Sequence, residues 1–105
     1  MIYDIVIIGG GPAGIAAALY GARGNLETLL IEGSFAGGQM ATTEVIENYP
    51  GFAEPVNGVV LAMQMEEQAK KFGAEIINEQ VKDIMLDGNI KTIITEPSEY
   101  KSKAV

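Results

Sequence analysis

Two apolar runs dominate the first third of the chain. Tyr3-Asp4-Ile5-Val6-Ile7-Ile8 is almost continuously apolar, and Thr28-Leu29-Leu30-Ile31 repeats that texture before it closes on Glu32. The first predicts a strand buried on both faces of a parallel sheet, and the second predicts a strand over about 27–32. The alanine-rich stretch between them predicts a helix over 12–22, with Gly21, Gly24 and Asn25 marking its end. Asn57 is a good N-cap for a second helix over 58–72. There Leu61, Met65, Ala69 and Phe72 share one face, Glu66, Glu67, Lys70 and Lys71 take the other, and Gly73 supplies the stop. From Ala74 the texture turns to β. Ile76-Ile77 predicts a third parallel strand, and the runs 81–86 and 90–95 flank Asp87-Gly88, a hairpin signal. Glu96-Pro97-Ser98 is a further turn, and Glu99 to Val105 begins another strand. The segment from Gly33 to Gly58 lacks a clear period, yet Phe35, Met40, Tyr49 and Phe52 are too specific for a plain linker. Long segments of this type are usually functional.

The junction between the first strand and the first helix reads Gly9-Gly10-Gly11-Pro12-Ala13-Gly14. Strand, glycine turn, helix, strand and terminal acid, in that order, form the dinucleotide-binding βαβ pattern. Each position has a physical reason. Gly9 takes the tight turn, Gly11 lets the backbone approach a pyrophosphate, and Gly14 lets the helix lie close to the strand. Pro12 sits in the first helical turn, where a missing N–H costs nothing. Ala13, Ala16, Ala17 and Ala18 keep the helix thin. The amides of that first turn and the helix dipole favour an anion by about 0.3–1 kcal/mol. Glu32 ends the second strand, where a carboxylate can accept from both ribose hydroxyls and would repel a 2′-phosphate. That points to the adenosine of FAD or NAD and away from NADP.

Composition narrows the picture. The chain has 105 residues, 48% hydrophobic and 20% charged, which suits one globular domain. A chain of this size buries about two thirds of its unfolded surface. The net charge of −7 and a pI near 4.4 argue against nucleic acid or an anionic membrane as partner. No apolar stretch reaches the roughly 18 residues of a membrane span. Met1 leads directly into a strand without a signal peptide, so the expected location is cytoplasmic. Cysteine and histidine are both absent. No thiol or imidazole is available as nucleophile, base or metal ligand, so no metal site is expected and any redox chemistry falls to a bound cofactor.

Further motifs carry a narrower likeness. Ile31-Glu32-Gly33, Gly37-Gly38-Gln39-Met40, Thr42-Thr43, Glu47-Asn48-Tyr49-Pro50-Gly51-Phe52, the helix end 67–74 and the Asp87-Gly88-Asn89 turn resemble the N-terminal FAD-binding region of bacterial thioredoxin reductase. The resemblance runs over essentially the whole chain. It implies an α/β, Rossmann-like FAD-binding domain: a parallel sheet with its βαβ glycine-turn unit and a β-meander. It implies that Gly10, Gly11, Pro12 and Ala13 line the FAD pyrophosphate and that Glu32 holds the adenosine ribose. Gly33, Gly37 and Gly38 would wrap the ribityl and phosphate side, with Gln39 near the flavin. Asn48 would hydrogen-bond at the flavin end, and Val81 would meet the adenine through its backbone.

The resemblance also implies what is absent. The family's FAD domain is discontinuous, and an NADPH domain carrying Cys-x-x-Cys is inserted in it. This chain has no cysteine and no second glycine fingerprint, so no residue is assigned a catalytic role. Residues 1–105 are therefore expected to be the N-terminal portion of that domain, inactive alone, and the final strand is expected to end as an unpaired edge. The implied parent passes electrons from NADPH through FAD and a Cys-Cys pair to thioredoxin, as a homodimer. Two alternatives stay open: a ferredoxin- or flavodoxin-linked NADP reductase on the same scaffold, and a non-catalytic nucleotide-binding module.

Overall fold

The computed structural model describes residues 1–33 and 42–105. Strand β1 (Ile2–Ile8) leads into helix α1 (Pro12–Arg23) and strand β2 (Thr28–Glu32). A short ribbon follows, β3 (Val45–Ile46) with β4 (Val56–Asn57), and then helix α2 (Gly58–Lys71). The chain continues through β5 (Glu75–Asn78), β6 (Val81–Met85), β7 (Lys91–Thr95) and β8 (Glu99–Ala104). The main sheet has the order β5-β2-β1-β8-β7-β6. Pairs β5/β2, β2/β1 and β1/β8 are parallel, whereas β8/β7 and β7/β6 are antiparallel. This is the expected α/β fold, a parallel sheet with a meander.

The helices form where local chemistry favours them. Asn57 Oδ1 accepts from the Val60 amide at 3.0 Å and caps α2. Gly73, at φ +109°, ends it. Both helices lie on one face of the sheet. Ile15, Ala18, Ala22, Leu30, Ala69 and Ala74 form the core there, with Ile7, Met65 and Ile76 against it. A second core on the opposite face joins Tyr3, Val6, Leu29, Ile31 and Ile93 to Ile77, Val81 and Tyr100. Strands from both ends of the hydrogen-bonding order share that second core, so the meander folds over the parallel strands.

Several expectations need correction. Full two-sided burial belongs to β2, whose five residues are all buried, and not to β1, where Ile2 and Ile8 are exposed. The two cores meet across β2, whereas the ends of β1 reach past them. The amides of Asp4 and Ile5 both donate to the Glu27 carbonyl, at 2.9 and 3.3 Å. That pinch breaks the strict alternation and lets Tyr3 share the face of Val6. Gly21 lies within α1, where a Cβ would stand 2.9 Å from Thr28 Oγ1. Of the alanines expected to thin α1, Ala18 is buried, Ala16 is half-buried, and Ala13 and Ala17 are exposed. Phe72 is also exposed and lies under the Arg23 guanidinium, 5.5 Å from its ring centroid. The segment expected to lack structure contains the β3/β4 ribbon, and Ile46, Tyr49 and Val56 pack on Leu61 and Ala62.

Strand β8 is not an unpaired edge. Glu99 to Ser102 pair with β7 and Lys101 to Ala104 with β1, so it carries the chain from the meander into the parallel sheet. The edges are β5 and β6, joined through Glu79-Gln80. Glu79 fastens that corner. Its amide donates to the Glu32 carbonyl at 3.0 Å. Its carboxylate accepts from Thr95 Oγ1 at 2.7 Å and from Tyr100 Oη at 2.9 Å.

Two substitutions test this account by urea unfolding. Leu30→Ala empties the centre of the helix-side core and is expected to cost about 2–5 kcal/mol. Tyr100→Phe removes a donor from Glu79 and is expected to cost about 1–2 kcal/mol. Equal and negligible losses would contradict the roles given to β2 and Glu79.

Candidate functional site

In open parallel sheets, ligands bind beyond the carboxyl ends of the strands. Here β1 and β2 end side by side, in register from Ile5 opposite Thr28 to Ile8 opposite Ile31. The turn leaving β1 is held to β2 by the Gly9 amide, which donates to the Ile31 carbonyl at 2.9 Å. Gly9 has φ +114°, a conformation that favours glycine.

The other turn glycines divide into two kinds. A Cβ on Gly14 would meet the Gly9 carbonyl oxygen at 1.9 Å, so its role is the close return of α1 onto the turn. A Cβ on Gly10 would stand 2.4 Å from Glu32 Oε2, so Gly10 makes room for that carboxylate. Gly11 differs: a Cβ there meets nothing within 4 Å among the described residues. Its backbone is extended, at φ −73° and ψ 178°, and it caps α1 without a side-chain hydrogen bond. Among the described residues nothing therefore stands against the Gly11 backbone at the start of α1, where Pro12 occupies the first turn.

Glu32 is buried, at 6% exposure, and its Oε2 has no hydrogen-bond partner among the described residues. Buried polar atoms are normally satisfied, so an orphan carboxylate oxygen is a candidate acceptor for a ligand. Burial pushes the carboxyl above its ordinary range, and the negative charge of Glu66 pushes it further, opposed by Lys70.

The remaining expected positions are gathered unevenly. Gly33 follows Glu32 directly and lies against Gln80, whose Oε1 would be 3.3 Å from a Cβ there. Val81 begins β6 opposite Thr95, half-buried in the second core and one residue beyond Gln80. Asn48 is exposed and lines a cavity of about 460 Å³ together with Pro12, Thr43 and Tyr49. The ribbon therefore brings Asn48 to the N-terminus of α1. Gly37, Gly38 and Gln39 lie outside the described residues.

Sequence reasoning missed Gln80 and Glu66. Gln80 carries no motif, and the parallel pairing of β5 with β2, which runs to Glu32 opposite Asn78, brings it to Gly33. Helical spacing set Glu66 with the solvated residues, but its side chain is 18% exposed and acts on Glu32. Among the described residues no helix is long and apolar enough to cross a membrane, and no group of three potential metal ligands occurs.

Comparison with known proteins gives the arrangement a context. Residues 3–104 match the family model described as pyridine nucleotide-disulphide oxidoreductase. The thioredoxin reductase of Peptoclostridium acidaminophilum is 51% identical over 104 residues, covering 99% of this chain and 33% of that protein. The thioredoxin reductase of Bacillus subtilis (strain 168) is 50% identical, again over 99% of this chain and 33% of the relative. The crystal structure of Lactococcus lactis thioredoxin reductase superposes with a TM-score of 0.91 at 48% identity, covering 96% of this chain and 33% of that one. The chain thus spans about a third of the length of the relatives it matches.

The two kinds of glycine separate experimentally. Gly14→Ala forces backbone apart and is expected to cost at least about 2 kcal/mol in urea unfolding. Gly11→Ala is expected to change stability by less than about 0.5 kcal/mol, because its Cβ would meet nothing within 4 Å among the described residues. Similar losses for both would refute the division.

Glu32→Gln is expected to stabilise the ligand-free protein by about 1 kcal/mol at pH 7. The sign follows from the raised pKa of Glu32 in the folded state. Below the unfolded value, near about 4.3, the carboxyl is neutral in both states and costs nothing. As pH rises through the folded pKa, ionising the buried group destabilises the wild type but not the variant. Unfolding measured from pH 4 to pH 7 should show the two converging at the acid end; parallel curves would contradict it.

Proposed function

The chain belongs to the pyridine nucleotide-disulphide oxidoreductase family, and from that premise we propose that it forms the N-terminal, FAD-binding part of a thioredoxin reductase. The observation that carries the reading is the buried Glu32 carboxylate, with Oε2 unpartnered among the described residues, beside the open backbone of Gly11. An adenosine ribose offers two hydroxyl donors to such an acceptor, and a pyrophosphate fits in front of the α1 amides. The donor set therefore fits an FAD.

Each residue has a defined task in this reading. Gly9 and Gly14 hold the turn in shape. Gly10, Gly11, Pro12 and Ala13 face the pyrophosphate, and the α1 dipole favours its charge by about 0.3–1 kcal/mol. Glu32 fixes the ribose. Gly33, Gly37, Gly38 and Gln39 follow the chain toward the ribityl and flavin side. Asn48 donates or accepts at the flavin end, and the Val81 backbone meets the adenine. FAD, when bound, supplies the two-electron redox chemistry that a chain without cysteine or histidine cannot carry on its own side chains. The protein's part is to bind, to orient the ring and to exclude water.

The activity belongs to the longer protein. NADPH is its proposed reductant, thioredoxin its proposed acceptor, a homodimer its proposed assembly and the cytoplasm its proposed location. The similarity to named thioredoxin reductases supports this reading.

The purified protein, incubated with FAD and freed of excess, is expected to retain a flavin absorption spectrum. Glu32→Ala should raise the FAD dissociation constant by at least about tenfold, since a charged acceptor of two hydrogen bonds is lost. Unchanged affinity in the variant would sink the ribose assignment. In the full-length flavoprotein, NADPH-dependent reduction of thioredoxin is expected. Reduction of ferredoxin or flavodoxin instead would reassign the acceptor while leaving the flavin site intact.

A further inference from the structure

The carboxyl ends of three neighbouring strands form one row, because the sheet order runs β5-β2-β1 and all three are parallel and in register. The glycine turn leaves β1, Glu32 ends β2, and Glu79-Gln80-Val81 follows β5. Neighbours in the row stand one strand spacing apart, about 4.8 Å. Backbone bonds fix it on either side of β2: the Gly9 amide donates to the Ile31 carbonyl at 2.9 Å, and the Glu79 amide to the Glu32 carbonyl at 3.0 Å. Gln80 is exposed, and its carboxamide lies against Gly33, the residue after Glu32. A Cβ on Gly33 would stand 3.3 Å from Gln80 Oε1 and 3.8 Å from both Cδ and Nε2. The bare backbone at position 33 thus lets a flat carboxamide rest next to the strand end that carries Glu32. The two residues beside Gln80 are already committed. The Glu79 carboxylate accepts from Thr95 and Tyr100, and the Val81 side chain packs into the second core.

We propose, resting on the reading of Glu32 as a ribose acceptor, that Gln80 is a specificity-determining residue that selects a 6-aminopurine over a 6-oxopurine at this site. A nucleoside diphosphate with its phosphates at the glycine turn and its ribose on Glu32 directs its base along the row, away from the phosphates and over Gly33 and Gln80. Glu32 cannot read that base, because the ribose hydroxyls are common to every ribonucleotide. A carboxamide presents an acceptor and a donor side by side in one plane. The 6-amino group and N7 of adenine are the matching donor and acceptor. A 6-oxopurine presents two acceptors along that edge, so the carboxamide oxygen would face another oxygen and one bond would be lost. Discrimination therefore comes from a mismatch as well as from a match. Val81 offers the base only its backbone, and Gln80 supplies the side chain that tells one purine from the other.

The test uses ADP-ribose and inosine diphosphate ribose, which carry a 6-amino and a 6-oxo purine on the same sugar and phosphates. Each competes with FAD for the purified, flavin-free protein, and flavin fluorescence reports displacement. The wild type is expected to prefer ADP-ribose. Gln80→Leu should narrow that preference about tenfold, the discrimination carried by one bidentate pair. Gln80→Arg should turn the preference toward inosine diphosphate ribose, because a guanidinium brings two donors to O6 and N7. Any general attraction of the arginine for phosphate cancels in the ratio. Glu32→Ala should weaken both probes alike and leave the ratio in place. Gln68→Leu, at an exposed position on α2, should change neither affinity nor ratio.

A ratio unchanged in both Gln80 variants, or equally changed in Gln68→Leu, would overturn the inference while ADP-ribose still binds. Equal affinities of the wild type for the two probes would overturn it even if the variants failed to fold. Failure of the folded wild type to bind FAD or either probe would instead overturn the reading of Glu32, and the inference with it.

Discussion

Both hydrophobic cores close on the same five residues. Leu30 of β2 points into the helix-side core, and Leu29 and Ile31 point into the core beneath the meander. Each fully buried side chain of this size contributes about 1.5–3 kcal/mol, and β2 gathers three of them in succession. The backbone of β2 does as much as its side chains. The Ile31 carbonyl holds the glycine turn through the Gly9 amide, and the Glu32 carbonyl holds the sheet corner through the Glu79 amide. The glycine turn and the Gln80-Val81 segment are thus fixed to one rigid strand. A site built on such a strand keeps its geometry better than one built on loops alone.

The same rigidity is what forces Glu32 into its position. A carboxylate at the end of a two-sided strand follows the strand's register into the interior, and Gly10 leaves room for it. Left without a donor, a buried carboxylate costs stability and resists ionisation. The chain tolerates this because the surrounding packing over-determines the strand. Local cost of this kind clusters at functional sites, and here it concerns one named oxygen, Glu32 Oε2.

The meander solves a different problem. An open parallel sheet would leave one face of β1 and β2 to water. Strand β8 passes from the meander into the parallel sheet, and the chain therefore folds back over that face with a single connection of two residues at the corner. Tyr100 and Thr95 converge on Glu79, so the polar network at the joint is satisfied and holds the fold-over in place.

Much of this was legible in the chain itself. The apolar runs, the turn Gly9 to Gly14, the N-cap Asn57, the stop at Gly73 and the Asp87-Gly88 turn each act over a few residues, so local sequence suffices to specify them. Glu32 at the end of its strand was legible for the same reason. What sequence alone could not decide depends on partners distant in the chain. Which apolar run is buried on both sides depends on where two helices and a meander pack, so β2 took the role expected of β1. Phe72 has helical spacing for the core, yet it is exposed and lies under Arg23. Glu66 has the spacing of a solvated residue, yet its side chain is only 18% exposed. Periodicity names the face of a helix; only the arrangement of neighbours determines whether that face meets water, a core or another charge.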